Sequence, residues 1–279
     1  MNLHVINTGY FKLDGGAMFG VVPKSLWQRT NPADEKNLCS WALRCLLIED
    51  GSQLILIDNG LGNKQGENFF KHYHLFGDLG LDKPLRDRGF TADDITDMFL
   101  THLHFDHCGG GIIERNGLHE LTFKNAKYWS NKDHWKWAIE PNKREKASFL
   151  KENILPMQES GHLNFVHPGE PAPFENFNIL YVDGHTEKQM IPKIKYKDKT
   201  IIFMADLLPS IGHIPLPYVM GYDVRPLQTL KEKEQFLNEA ADNNYILFLE
   251  HDPINECCTV KHTEKGVRLD KVFSLKEIL

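Results

Sequence analysis

The chain has no excess of basic residues: 32 Lys and Arg stand against 38 Asp and Glu, a formal net charge of -6. Sequence-independent nucleic-acid binding needs a basic footprint, so that class is set aside. No window approaches the roughly 18 consecutive apolar residues of a membrane span. The start, MNLHVINTGYFKLDGG, has no basic segment followed by an apolar one, so no signal peptide is read there. The five cysteines (Cys39, Cys45, Cys108, Cys257 and Cys258) are odd in number and form no CxxC pair. That usage fits a reduced, soluble, cytoplasmic protein better than a disulfide scaffold. Adjacent Cys257 and Cys258 read as ordinary thiols near a strand, and Cys108 as a small packed side chain. There is no internal repeat and no low-complexity linker. The proline patches at 168–173 and 215–217 read as loops, so residues 1–279 are taken as a single domain.

What is present is an ordinary globular balance, 41% hydrophobic and 25% charged. Strand-like runs are expected at 3–7, 18–22, 41–49 and 53–58, the last two hinged at Asp50-Gly51. A helical stretch follows near 67–76, and Thr91 to Asp94 has the form of a helix-start cap. Residues 98–101 form a buried strand, and 131–160 are helical and charged. A second β region follows at 178–183, then IPKIKY and TIIFMAD joined through Asp198-Lys199. Thr229 with Glu232 predicts a capping box opening a helix to about Asn243, before a last strand at 245–249. Paired β regions interleaved with helices predict a layered α/β fold, two sheets with helices on their outer faces.

The most informative segment is Thr101-His102-Leu103-His104-Phe105-Asp106-His107, running from a strand into Gly109-Gly110-Gly111. His102 and His104, two apart, project to one side of an extended backbone, and Asp106 can continue there. Four ligand-type side chains in six residues cannot face an apolar core without a partner. Imidazole and carboxylate suit zinc, and also iron or manganese. Three further candidates end strands: His185 in YVDGHT, Asp206 in MAD and His251 in LEH. Each taken alone has an ordinary alternative as turn residue, cap or loop histidine.

HxHxDH followed by His185, Asp206 and His251 resembles the dinuclear ligand pattern of the metallo-β-lactamase superfamily, over nearly the whole chain. The resemblance is closest to the quorum-quenching N-acyl-homoserine lactonases and the methyl-parathion-hydrolase-like enzymes. It is carried also by residues 13–24 (LDGGAMFGVVPK), 204–209 (MADLLP) and 219–223 (VMGYD). It implies a four-layer αββα sandwich and two divalent ions, zinc foremost. His102, His104 and His185 would hold one ion, Asp106, His107 and His251 the other, and Asp206 would bridge. Asp206 in the bridging place argues against a true β-lactamase.

The implied activity is opening of a lactone or ester by a hydroxide shared between the ions, with Asp106 carrying the proton to the leaving alkoxide. The expected partner is a small lactone or ester, with neither nucleic acid nor membrane; a homodimer is left open. Some acyl-homoserine lactonases place a tyrosine three residues after the bridging aspartate; here Pro209 stands there, and His213 or Tyr222 would take its part. Phe105, between two ligands, and Phe19 are the first candidates for the substrate wall, with Met18, Trp27 and residues 214–217 behind them. The competing readings are a promiscuous arylesterase or phosphotriesterase, an iron redox protein, and a non-catalytic metal-binding protein.

Overall fold

The computed structural model describes all residues, Met1–Leu279. They group into two compact units: Met1–Tyr10 with Leu43–Pro171, and Phe11–Ala42 with Ala172–Leu279. The boundaries fall inside the first two strands.

The first unit is built on a six-stranded sheet. In chain order the strands are β1 (Asn2–Asp14), β2 (Leu38–Asp50), β3 (Gln53–Ile57), β4 (Asp97–Phe99), β5 (Ile112–Arg115), β6 (Leu118–Leu121), β7 (Lys127–Asn131) and β8 (Leu163–Val166). The sheet order is β1-β2-β3-β4-β7-β8, and β5 pairs with β6 as a separate hairpin. The β2–β3 turn is Gly51-Ser52, just after Asp50, and Gly51 adopts φ 61°, a value that favours glycine. From β3 onward all pairs are parallel. β3 and β4 are short apolar runs buried along almost their whole length, the pattern of parallel strands covered on both faces. Leu47, Leu56, Met98, Leu100 and Ile154 belong to one buried apolar cluster.

Parallelism has a consequence for the chemistry. The residues following β3, β4 and β7 all leave the sheet at the same edge, and these are Asp58, the His102–His107 run and the Asn131–His134 turn. At this edge the triglycine is a close approach of two backbones. A Cβ added to Gly109 would stand 2.1 Å from the Leu61 carbonyl oxygen.

The second unit carries β9 (Phe177–Val182), β10 (Gln189–Tyr196), β11 (Lys199–Phe203), β12 (Ile246–Phe248), β13 (Cys257–Thr263) and β14 (Gly266–Phe273). Their order in the sheet is β14-β13-β12-β11-β10-β9. β9 and β11 are both antiparallel to β10, and β11 is parallel to β12. Hence β9, β11 and β12 run in one direction, and His185, Asp206 and His251 follow their ends on one edge.

Three local expectations are corrected. Residues 18–22 are not a strand. Gly15–Phe19 is a short helix whose first turn is capped by Asp14 Oδ1 accepting from Ala17 N, and Gly20 at φ 56° ends it. The stretch 67–76 is helical only over Glu67–Phe70 and then turns. The helix expected to open at Thr229 runs Pro226–Asp242 with proline in its first turn, leaving Thr229 inside it. Its Glu232 is spent elsewhere: the carboxylate accepts from Asp183 N at 2.9 Å and Gly184 N at 3.0 Å, so it grips the loop leading to His185 instead of closing a capping box. No helix is long and apolar enough to cross a membrane, and all five cysteines are buried free thiols.

Replacing Gly109 by alanine forces a backbone apart. The expected result is a loss of about 1–3 kcal/mol, the usual cost of overpacking, read as a lower midpoint in urea denaturation.

Candidate metal centre

The first unit brings His102, His104, Asp106 and His107 together. Asp58, at the end of β3, is fully buried and left-handed in its backbone, φ 56°. It accepts from Thr101 N at 2.8 Å, from Thr101 Oγ1 at 2.6 Å and from His107 Nδ1 at 3.0 Å. Thr101 Oγ1 has given its proton to Asp58, so it can only accept at its 3.1 Å contact with His102 Nδ1. That makes Nδ1 the protonated nitrogen of His102 and leaves Nε2 as a lone pair.

His104 is held in the opposite sense. Its Nε2 lies 3.3 Å from Glu145 Oε1 and is the protonated nitrogen, so Nδ1 is the one that carries the lone pair. Glu145 is itself buried and accepts from Trp137 Nε1 at 2.7 Å and from Asn142 Nδ2. His102 Nε2 and His104 Nδ1 then face one another at 3.1 Å. Two lone pairs aimed at one place repel unless an electron acceptor sits between them. A divalent cation meets that need, and the donor set of neutral imidazoles with nearby carboxylates suits one. The intervening backbone is fixed as well: Leu103 N donates to His134 Nε2 at 2.8 Å, and Asn131 Oδ1 accepts from His134 N. Asp106 lies in the first turn of the short helix Phe105–Cys108, with Oδ2 3.7 Å from His107 Nε2.

The second unit brings His185, Asp206 and His251 together in the same manner. His185 Nδ1 donates to Asp223 at 3.0 Å, and His251 Nδ1 donates to the Ala42 carbonyl at 2.8 Å. Both Nε2 atoms turn to Asp206, His185 to Oδ2 at 3.0 Å and His251 to Oδ1 at 3.1 Å. Burial pushes the His185 imidazolium down. The carboxylates of Asp206 and Asp223 outweigh it and keep the ring protonated up to about 10. A positive charge is thus favoured at this point, and a metal ion bound there would displace the proton and take the Nε2 lone pair.

The expected substrate-contact residues fall into two kinds. Phe105 is buried against the rings of Phe69 and Tyr73, and Tyr222 is 41% exposed. Phe19 and His213 have almost no exposed surface. Phe19 is stacked between Trp27, at 5.2 Å, and His213, at 4.4 Å. His213 Nε2 donates to the Met18 carbonyl and Nδ1 accepts from Ser210 Oγ, both at 2.9 Å. Burial therefore pushes the His213 pKa down to about 3 and keeps the ring neutral. Lys233 Nζ donates to the carbonyls of His213, Pro215 and Tyr218, pinning that loop. Cys108 is buried, its thiol pushed up to about 12, and its Sγ lies 3.4 Å from the Leu103 carbonyl. It is a packed side chain.

The sequence alone marks no ligand-positioning role for these supporting residues: Thr101 and Asp223 lie within the motifs above, and Glu232 reads as a helix cap. Asp58, His134 and Glu145 are isolated polar residues without spacing to mark them. The one usable hint is placement, with Asp58 ending an apolar strand as His102 nearly does.

Comparison with known proteins agrees with this geometry. The family model described as "Metallo-beta-lactamase superfamily" matches residues 44–251. An N-acyl homoserine lactonase, AiiA, of Bacillus thuringiensis subsp. kurstaki is 27% identical over 166 residues, covering 56% of this chain and 58% of that protein. The match thus spans little more than half the length of such relatives. Among solved structures, a probable metal-dependent hydrolase from Staphylococcus aureus is 28% identical. It covers 98% of this chain and 96% of its own, with a TM-score of 0.88. AidC, described as a dizinc quorum-quenching lactonase in complex with its N-hexanoyl-L-homoserine product, superposes with a TM-score of 0.81 at 23% identity, covering 98% and 95% of the two chains.

Glu145→Gln removes the charged acceptor that fixes His104. Metal affinity, measured by competition with a chelator, is expected to fall about 10–100-fold with the circular dichroism unchanged. His213 sets a pH dependence. Its folded pKa lies below its unfolded value of about 6.5, so the unfolded chain binds the extra proton. Stability is full above that value and is lost as pH falls towards 3. The urea midpoint of the wild type should drop across this window more steeply than that of His213→Gln.

Proposed function

The chain belongs to the metallo-β-lactamase superfamily, and from that premise we propose that it is a metal-dependent hydrolase of lactones, an N-acyl-homoserine lactone being its substrate. The observation that carries the reading is the orientation of the histidines within each unit: the outer nitrogens are engaged by protein groups, while His102 Nε2 and His104 Nδ1 face one another and the Nε2 atoms of His185 and His251 turn to Asp206. The ligand assignment we propose is His102, His104 and His185 for one ion, Asp106, His107 and His251 for the other, and Asp206 between them. Zinc is the proposed ion, on the strength of the donor set and of the dizinc description of AidC. Two such ions supply Lewis acidity for an acyl oxygen and lower the pKa of a bound water to about 7.

The protein's own groups do the rest. Asp58, Glu145 and Asp223 hold three imidazoles in the required tautomers. Asp106, 9% exposed, is the one carboxylate of the HxHxDH turn, and that supports giving it the proton transfer. Water oxygen adds to the acyl carbon, the ring C–O bond breaks, and Asp106 delivers the proton to the departing alkoxide oxygen. The product is the open hydroxy acid. Phe105 forms part of the wall against which the acyl chain lies. AiiA, by its name, and AidC, by its description, are lactonases, which supports this substrate class over others served by the same fold.

The test is a substrate panel on protein of measured metal content. N-hexanoyl-homoserine lactone should be hydrolysed with a higher kcat/KM than chromogenic aryl esters or phosphotriesters, and chelation should abolish turnover. Asp106→Asn should lower kcat at least 100-fold. A phosphotriester or aryl ester favoured over the lactone moves the assignment to that class. Absence of turnover on every member by metal-loaded protein removes the hydrolase reading.

A further inference from the structure

We propose that the hydroxyl of Tyr73 is a hydrogen-bond donor to the bound acyl substrate, seated for that task by a triad of aromatic rings. The proposal rests on the hydrolase reading above and adds a residue that none of the motifs marks.

The triad is Phe69, Tyr73 and Phe105, each ring touching both others. Centroids lie 4.9 Å apart for Phe69 and Tyr73, 4.8 Å for Tyr73 and Phe105, and 5.3 Å for Phe69 and Phe105, the last pair at 88°. These are edge and tilted contacts of the favoured kind. Phe69 lies on the short helix Glu67–Phe70, and Tyr73 follows on the next turn, its N–H donating to the Phe70 carbonyl at 2.9 Å. A spacing of four sets both rings on one side. Phe105 comes from elsewhere in the chain, between His104 and Asp106. The triad therefore fixes Tyr73 beside the HxHxDH turn and not merely on the surface.

The hydroxyl itself is the second observation. Tyr10, Tyr128 and Tyr245 each place their hydroxyl on a protein partner. Tyr73 makes ring contacts only, and its hydroxyl finds no hydrogen bond within the protein. The residue is half-buried, so the ring is held while part of it stays reachable. Burial, and after it the charge of Asp106, push the phenol up to about 12. At neutral pH Tyr73 is a donor and not an anion. A ligand that fits has an apolar portion for the faces of Phe69 and Phe105 and a carbonyl or alkoxide oxygen within reach of the phenol. An acyl chain ending in an ester or lactone has both.

Tyr73→Phe keeps the ring and deletes the donor, and Tyr73→Leu removes both. With N-hexanoyl-homoserine lactone, the phenylalanine variant is expected to lose about 3- to 10-fold in kcat/KM, the value of one neutral hydrogen bond. Its metal stoichiometry and thermal midpoint should match the wild type. If the phenylalanine variant hydrolyses as the wild type does while the leucine variant falls, the ring serves packing alone and the proposal is overturned. Should the phenylalanine variant fail to fold, Tyr73→Gln against Tyr73→Leu repeats the comparison of donor with non-donor, and equal rates overturn the proposal. Wild-type protein without hydrolysis of any acyl substrate overturns the parent reading and this one together, an outcome distinct from an unchanged Tyr73→Phe.

Discussion

A histidine offers a metal one lone pair, and which nitrogen carries it depends on what the other nitrogen touches. Every imidazole of the two clusters obeys that constraint through a different group: Thr101 for His102, Glu145 for His104, Asp58 for His107, Asp223 for His185 and the Ala42 carbonyl for His251. Acceptors outside leave lone pairs inside. Remove the outer acceptor and the ring can flip or take the wrong tautomer, and the donor set ceases to be a donor set. Much of the local structure serves this end. Asp58 accepts a left-handed backbone to reach both Thr101 and His107. Glu145, in a buried place, accepts on Oε2 from Trp137 and Asn142 and so keeps Oε1 on His104.

Strand direction delivers the groups. In each sheet the strands that precede functional residues run the same way, so short apolar strands end in polar side chains on one edge. The backbone there has little slack. Gly109 lies against Leu61, and Gly184, just before His185, lies where a Cβ would stand 2.3 Å from Thr229 Oγ1. Turns so closely packed allow the following histidines few positions, which is the kind of preorganisation that metal binding and catalysis both reward.

Aromatic residues divide by the state of their polar atoms. Phe19, Trp27 and His213 form a closed stack in which both His213 nitrogens are satisfied, while Lys233 ties the adjoining loop through three carbonyls. That arrangement supports the segment between Asp206 and Asp223. Phe69, Tyr73 and Phe105 form a second cluster, the first two half-buried and Phe105 buried, with a hydroxyl that protein groups leave alone. The same residue types thus serve as scaffold in one place and as a candidate wall in the other.

The sequence by itself was enough for the α/β class, most strands and the HxHxDH run, because apolar periodicity and clustered ligand types are local signals. It also pointed to His185, Asp206 and His251, though only as an ordered set resembling a family pattern. Local signals misled where a side chain had a distant use: Glu232 looked like a helix cap and instead holds Asp183 and Gly184, and residues 18–22 looked like a strand though Asp14 and Gly20 make a short helix of Gly15–Phe19. Only the tertiary structure decided which acceptor fixes each imidazole, that His213 is a buried neutral support, and that Tyr73 stands against Phe105. Apart from the neighbouring pairs Thr101 with His102 and Ser210 with His213, those outcomes rest on contacts between residues tens to hundreds of positions apart, such as His104 with Glu145 or His251 with Ala42. Spacing along the chain carries no record of such pairs, since hydrogen bonds and burial are settled by folded distance.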